Sequence, residues 1–273
     1  MPNGLQPALV YVGSWLELQV RHTRLPGLSL AVAERGRVVL ERAYGVADIS
    51  TGEALTPEHR FRVASHSKTV TAAAVMKLRE AGRLRLDDMA GNYVSGLHRS
   101  VARVTIAQLL SHTAGVVRDG TDAGQWQDRR PFLNEQELRA ALAEASTLPA
   151  NTRFKYSNHG FGLVGLIIEA VTGEPYASWV AREIVEASGL LHTAPDGPPA
   201  TGVPFARGHA MPLLLSERFV IPADNPTNAL AAATGFPQHG SGSGPPGPPH
   251  YPKPRQPHRQ QRRVPGSCLC SVD

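Results

Sequence analysis

Ser65-His66-Ser67-Lys68 places a hydroxyl and an amine three residues apart, at the start of a stretch that reads as helix. One helical turn separates Ser65 from Lys68, so the two side chains share a face within hydrogen-bond reach, while Ser67 points about 100° away from Lys68. The spacing favours Ser65 over Ser67 as a nucleophile, with Lys68 as its base. A lysine with an ordinary pKa of ~10.4 lies roughly 3.4 units from neutrality at pH 7, a cost of about 4.6 kcal/mol unless burial or positive charge lowers it. A buried helix start supplies that environment. On its own the motif is weak, and the plain alternative is a serine cap beside a solvated lysine.

Further along, Phe154-Lys155-Tyr156-Ser157-Asn158 sets a second proton carrier, Tyr156, two residues before an amide, Asn158, that could orient a substrate. Its structural alternative is an aromatic residue packing at a helix entry with Asn158 as the cap.

These groups need elements to hold them. Ser65 to Ala81 carries apolar residues at Val70, Ala73, Ala74, Met76 and Leu78 and ends at Gly82, which predicts a largely buried helix. Phe161 to Val171 is apolar on nearly every side with Gly173 behind it, a deeply buried helix. Thr105 and Gln108 form a capping box for a short helix, Ile106 to Leu110. Trp179, Val180, Ile184 and Leu190 recur near helical spacing. Upstream, Met1 to Val20 reads as an amphipathic helix, and Leu28–Val32 with Arg37–Leu40 as a β-hairpin turned at Gly36. A second turn is expected at Asp48–Gly52, and Thr56-Pro57 predicts a helix start. The order implies an α/β protein in which a helical lobe is inserted into an α+β sheet lobe whose remaining strands come later.

Taken in order, Arg62-Val63-Ala64-Ser65-His66-Ser67-Lys68, Leu84-Arg85-Leu86-Asp87-Asp88, Leu109-Leu110-Ser111-His112-Thr113-Ala114-Gly115, Tyr156-Ser157-Asn158-His159-Gly160 and Ser188-Gly189-Leu190 resemble the penicillin-recognising serine hydrolases. That family comprises class C β-lactamases, DD-peptidases and their esterase relatives, and the resemblance runs from about Gly27 to Phe236. It implies a β-lactamase/transpeptidase-like fold and no cofactor. It also implies that Ser65 attacks a carbonyl, Lys68 and Tyr156 relay its proton, and an acyl-enzyme forms and is released by water or another acceptor. Asn158 would hold the amide or ester side chain of a small-molecule ester, lactam or peptide substrate. The oxyanion would be held by the Ser65 N–H and a second N–H on a later strand.

The chain departs from that family at its end. A third motif, Lys-Thr-Gly or His-x-Gly on the sheet edge, has no counterpart after Phe236, and Lys253 sits between prolines, where no strand forms. One oxyanion donor, worth about 10²–10³ in rate, and one cation are therefore expected to be missing. Beyond Thr234-Gly235-Phe236 the composition turns to Gly, Ser, Pro, Gln, His and Arg, which cannot bury enough surface to offset its ordering entropy. The expected organisation is an incomplete hydrolase domain over 1–236 and a disordered tail over 237–273. With four lysines among 28 basic residues, the tail also fits a GC-rich gene read out of frame.

The formal charge of +5 is concentrated there. Lys253, Arg255, Arg259, Arg262 and Arg263 against Asp273 give the tail +4 and leave the body +1, so a nucleic-acid partner is not expected. Cys268 and Cys270 lie in the tail, too few and too close for a metal site. His59, His66, His98 and His159 lack metal-ligand spacing. His112, with Asp119 or Asp122 nearby, admits a Ser-His-Asp reading, but a histidine in a loop after a short helix more often shapes a site than supplies its base. No stretch reaches the ~20 apolar residues of a membrane span, and the N-terminus lacks a basic n-region, so a cytoplasmic protein is expected. Two functions remain open: a serine hydrolase, or a catalytically inactive relative or truncated product with a binding role only.

Overall fold

Two apolar patterns of unequal strength organise the chain, a short hairpin near the N-terminus and a nearly all-apolar helix in the middle, and each gathers its own layer. The computed structural model describes residues 4–122, 124–127, 130–190, 192–195, 204–210, 218–221 and 226–238. In chain order the elements are α1 (Leu5–Thr23), β1 (Gly27–Glu34), β2 (Arg37–Asp48), β3 (Glu53–Ala54), β4 (Phe61–Arg62), α2 (Ser67–Glu80), α3 (Arg99–Ala102), α4 (Ile106–Leu110), α5 (Glu135–Leu142), α6 (Asn158–Thr172), α7 (Tyr176–Val180), α8 (Ala231–Thr234) and β5 (Pro237–Gln238). Helices plus small sheets make this a mixed α/β protein, as expected.

β1 and β2 form the predicted hairpin, antiparallel from Gly27↔Gly45 to Glu34↔Arg37 with an irregularity at Val32/Ala33. Its turn places both Arg35 (φ 49°) and Gly36 (φ 77°) in the left-handed region, as a two-residue type I′ turn requires. β3 extends the sheet along β2. α1 lies against the sheet, where the Tyr44 hydroxyl donates to Gly13 O at 3.0 Å. Ala47, Leu55 and Ala206 are the buried centre of this layer.

The larger core surrounds α6. Every residue from Asn158 to Ile168 is buried, with Leu163, Val164, Ile167 and Ile168 fully so. Ser157 caps its start, accepting from the Gly160 N–H at 2.8 Å, and Gly173 (φ 76°) closes its end by donating to Glu169 O. Gly165 lets α8 approach closely, since a Cβ there would stand 3.0 Å from the Ala232 Cβ. Leu138 and Leu142 of α5, Ile106 and Leu109 of α4, and Val75 and Leu78 of α2 complete the core.

Four local expectations are corrected. The helix predicted at Thr56-Pro57 is a turn, in which the buried His59 ring takes the Thr56 N–H at 3.1 Å and meets Glu53 Oε1 at 3.2 Å. The helix from Ser65 begins as a 3₁₀ turn over Ala64–His66 before α2, and the buried face of α2 runs through Ser67, Lys68, Thr71, Ala74, Val75 and Leu78, leaving Ala73 and Met76 outside. The helical stretch after α7 opens into a π-helical turn over Ala181–Glu186, whose Glu183 is bonded by Lys77 through its carboxylate (2.7 Å) and carbonyl (2.8 Å). Finally, β5 takes in 237–238 and pairs with β4, while the rest of the composition-defined tail, 239–273 with Lys253, Cys268 and Cys270, lies outside the described residues.

Truncating the middle of α6 should cost far more than truncating α1. Ile167→Ala is expected to lower unfolding free energy by about 2–5 kcal/mol, while Leu18→Ala, at a side chain 61% exposed, should change it by no more than about 0.5 kcal/mol. Urea unfolding followed by circular dichroism compares the two midpoints.

Candidate active site

Ser65 sits where β4 gives way to α2. The preceding Ala64 has φ 44°, left-handed for a residue with a side chain, at a cost of about 1–2 kcal/mol. That turn is held from both sides: Ser67 Oγ donates to Ala64 O at 2.6 Å and accepts the Phe236 N–H at 3.0 Å, while the Val63 N–H donates to Phe236 O at 2.9 Å. Ser67 is fully buried in this framework, whereas Ser65 is exposed.

The residues picked out by spacing come together. Ser65 Oγ lies 2.6 Å from the Tyr156 hydroxyl, and Lys68 Nζ donates toward Ser65 Oγ at 3.4 Å. Lys68 Nζ also donates to Asn158 Oδ1 at 2.7 Å and to the Ala233 carbonyl at 2.8 Å. The ammonium stands 4.8 Å from the centroid of the Tyr156 ring and 5.4 Å from that of Phe161. Burial pushes the Lys68 pKa below the ordinary lysine value, with the Tyr156 hydroxyl and the Asp119 carboxylate pulling the other way.

Asn158 is not the cap of α6; Ser157 is, which frees the Asn158 amide to face Lys68. Its Nδ2 donates to Asp119 Oδ1 at 2.7 Å. In sequence Asp119 offers only a partner for His112, and its contact with Asn158 leaves no signal there because the two lie on different segments. The Ala233 carbonyl is likewise invisible in sequence, since a backbone acceptor has no residue signature.

His112 forms a wall of the site. Its Nδ1 accepts the Ser157 N–H at 3.2 Å, and its ring packs on Tyr156 at 4.5 Å and on Phe161 at 5.1 Å. Burial, and then the Lys68 charge, depress its pKa to about 4, so the imidazole is neutral at physiological pH. Among the described residues, no group of three or more His, Cys, Asp or Glu could hold a metal ion, and no helix is long and apolar enough to cross a membrane.

Comparison with known proteins gives consistent neighbours. The Beta-lactamase family model matches residues 14–237. Protein flp of Staphylococcus aureus (strain COL) is 28% identical over 183 residues, 66% of this chain and 36% of that protein. Penicillin-binding protein 4 of Amycolatopsis lactamdurans is 36% identical over 178 residues, 63% of this chain and 45% of that protein. Among solved structures, SurE superposes with a TM-score of 0.69 at 31% identity, covering 86% of this chain and 52% of that one. A class C β-lactamase gives 0.72 at 22% identity, covering 88% and 63%, a likeness of fold. The chain thus spans less than half the length of these curated relatives and under two thirds of these solved chains. Its matched span takes in the Ser65, Lys68, Tyr156 and Asn158 cluster, and the chain belongs to the Beta-lactamase family.

Proposed function

We propose that this chain is a serine hydrolase that forms an acyl-enzyme through Ser65 on a small ester, β-lactam or D-amino-acid amide, within a hydrolase domain over residues 1–236 that β5 carries on to 238. The observation that carries the reading is the convergence of Ser65 Oγ on two proton carriers, Tyr156 at 2.6 Å and Lys68 at 3.4 Å. The shorter contact makes Tyr156 the first receiver of the serine proton, with Lys68 the group that sets its charge.

In this reading Ser65 Oγ bonds to the substrate carbonyl carbon as its proton passes to the Tyr156–Lys68 pair, and the carbonyl π electrons move onto oxygen. The Ser65 N–H, one of the donors left without an intrahelical partner at a helix start, faces that oxyanion. When the tetrahedral species collapses, the bond to the alcohol or amine breaks and the stored proton goes to the leaving group. Water then repeats the sequence on the acyl-enzyme, giving the acid and restoring Ser65. Asn158 holds the lysine and offers its amide to the substrate, and His112, neutral and packed on Tyr156, keeps the phenol aimed at Ser65.

A lysine can serve only when it is neutral, so its lowered pKa brings the working range down toward physiological pH. Acylation by a fluorophosphonate or a labelled penicillin should vanish in Ser65→Ala; labelling that persists in that variant, or folded wild-type protein that is never labelled by either probe, overturns the reading.

A second outcome concerns pH. The acylation rate should fall as pH drops through the Lys68 pKa, with the midpoint below that of a free lysine. Lys68→Arg, which cannot release its proton, should lose that limb and slow acylation by about 10²–10⁴. Stopped-flow labelling across pH measures both.

A further inference from the structure

The loop after α4 is sewn to the first turn of α6. Arg118 O accepts the N–H groups of Asn158 at 3.0 Å and His159 at 3.2 Å, and Ser157 Oγ donates to Val117 O at 2.6 Å. This brings Asp119, with a side chain only 10% exposed, against the Asn158 amide. Asp119 Oδ1 accepts from Asn158 Nδ2 at 2.7 Å and from Trp126 Nε1 at 3.1 Å, and Oδ2 pairs with Arg118 Nε at 2.9 Å.

The two ends of an asparagine amide are nearly the same size, so its partners decide which way it faces. Here the Asp119 carboxylate can only accept, and the Lys68 amine, as the ammonium, can only donate. Turned over, the amide would set Nδ2 against the Lys68 ammonium and Oδ1 against the Asp119 carboxylate, two mismatches at once. We propose that Asp119 is a positioning residue: by accepting from Asn158 Nδ2 it fixes the amide with Oδ1 on Lys68 Nζ, and so holds the amine at Ser65 Oγ. This rests on the assignment of Ser65 and Lys68 as nucleophile and base. Tying the loop to α6 does not need the Asp119 side chain, because the Arg118 carbonyl and Ser157 hydroxyl already do so.

Asp119 also acts on Lys68 through charge. Tyr156, His112 and Arg118 face the amine along with it, and Arg118, Trp126 and His159 surround the carboxylate. Its negative charge favours the ammonium, so removing it makes the proton easier to lose.

The test uses the full chain and a fluorophosphonate probe. Asp119→Ala should slow acylation by about 10- to 100-fold, the scale of an ångström-level misplacement. The double variant Asp119→Ala/Asn158→Ala should be no slower than Asn158→Ala alone, because the two act as one unit. Asp119→Asn, which keeps an acceptor oxygen but no charge, should fall between wild type and Asp119→Ala in rate and move the acid limb to lower pH. Asp119→Glu should recover most of the rate. Multiplying effects in the double variant, or a wild-type rate with an unmoved limb in Asp119→Asn, overturns the proposal. A readout independent of turnover is the ε-¹³C titration of Lys68, assigned by Lys68→Arg: its midpoint should fall in Asp119→Asn, and an unmoved midpoint counts against the proposal. If Ser65→Ala still labels, the nucleophile assignment has failed, and the titration alone decides whether Asp119 governs Lys68.

Discussion

The Lys68 ammonium is buried at the start of α2 and bonded to Asn158 Oδ1 and the Ala233 carbonyl, with Ser65 Oγ at longer range. An ion removed from water without partners costs several kcal/mol. Each acceptor comes from a different part of the chain, so satisfying this one amine obliges α2, α6 and α8 to meet at a point. The rings of Tyr156 and Phe161 close the remaining sides. Burial there lowers the amine's pKa, and the convergence places it beside the exposed serine.

α8 contributes through a general weakness of helix ends. It is only four residues long, and past Ala231 O, which accepts the Gly235 N–H at 2.9 Å, its last carbonyls look for partners outside the helix. Two of them are taken by side chains of α2: Lys68 bonds Ala233 O, and one turn deeper Thr71 donates to Ala232 O at 2.6 Å while meeting the Tyr176 hydroxyl at 2.7 Å. Gly162 and Gly165 of α6 let the surrounding elements close in; a Cβ at Gly162 would stand 2.9 Å from Leu138 Cδ2. The polar contacts at the site therefore stand on a core that the glycines allow to be tight.

Much of this was legible along the chain where the physics is local. The spacing of Ser65 and Lys68 put both on one helical face, the Thr105 and Gln108 capping box is present as read, and the apolar run before Gly173 is a buried helix. Where distant groups decide, the sequence was silent or misleading. Thr56-Pro57 has the residues of a helix start, but the segment makes only a turn, across which the His59 ring accepts the Thr56 N–H. Ser67, which spacing set aside in favour of Ser65, is a brace whose partners Ala64 O and the Phe236 N–H the motif does not announce. Asp119 could be placed only near His112, because its separation from Asn158 along the chain carries no periodicity that would connect them.

The position of Ser65 depends on residues near the far end of the described chain. Ala64 in a left-handed conformation is unfavourable by itself, and from within the Ser-x-x-Lys motif it is braced by the Ser67 hydroxyl, which donates to Ala64 O. Further compensation comes from Phe236, whose N–H and carbonyl bond Ser67 Oγ and the Val63 N–H, and whose side chain is 1% exposed in the main core. β5 continues the contact, pairing Pro237 with Arg62 and Gln238 with Phe61. The segment from α8 to β5 thus supplies the carbonyl that receives Lys68 and the backbone that braces the turn before Ser65. Read from composition, this segment is only the place where the chain changes character; in the fold it is one wall of the setting of Ser65.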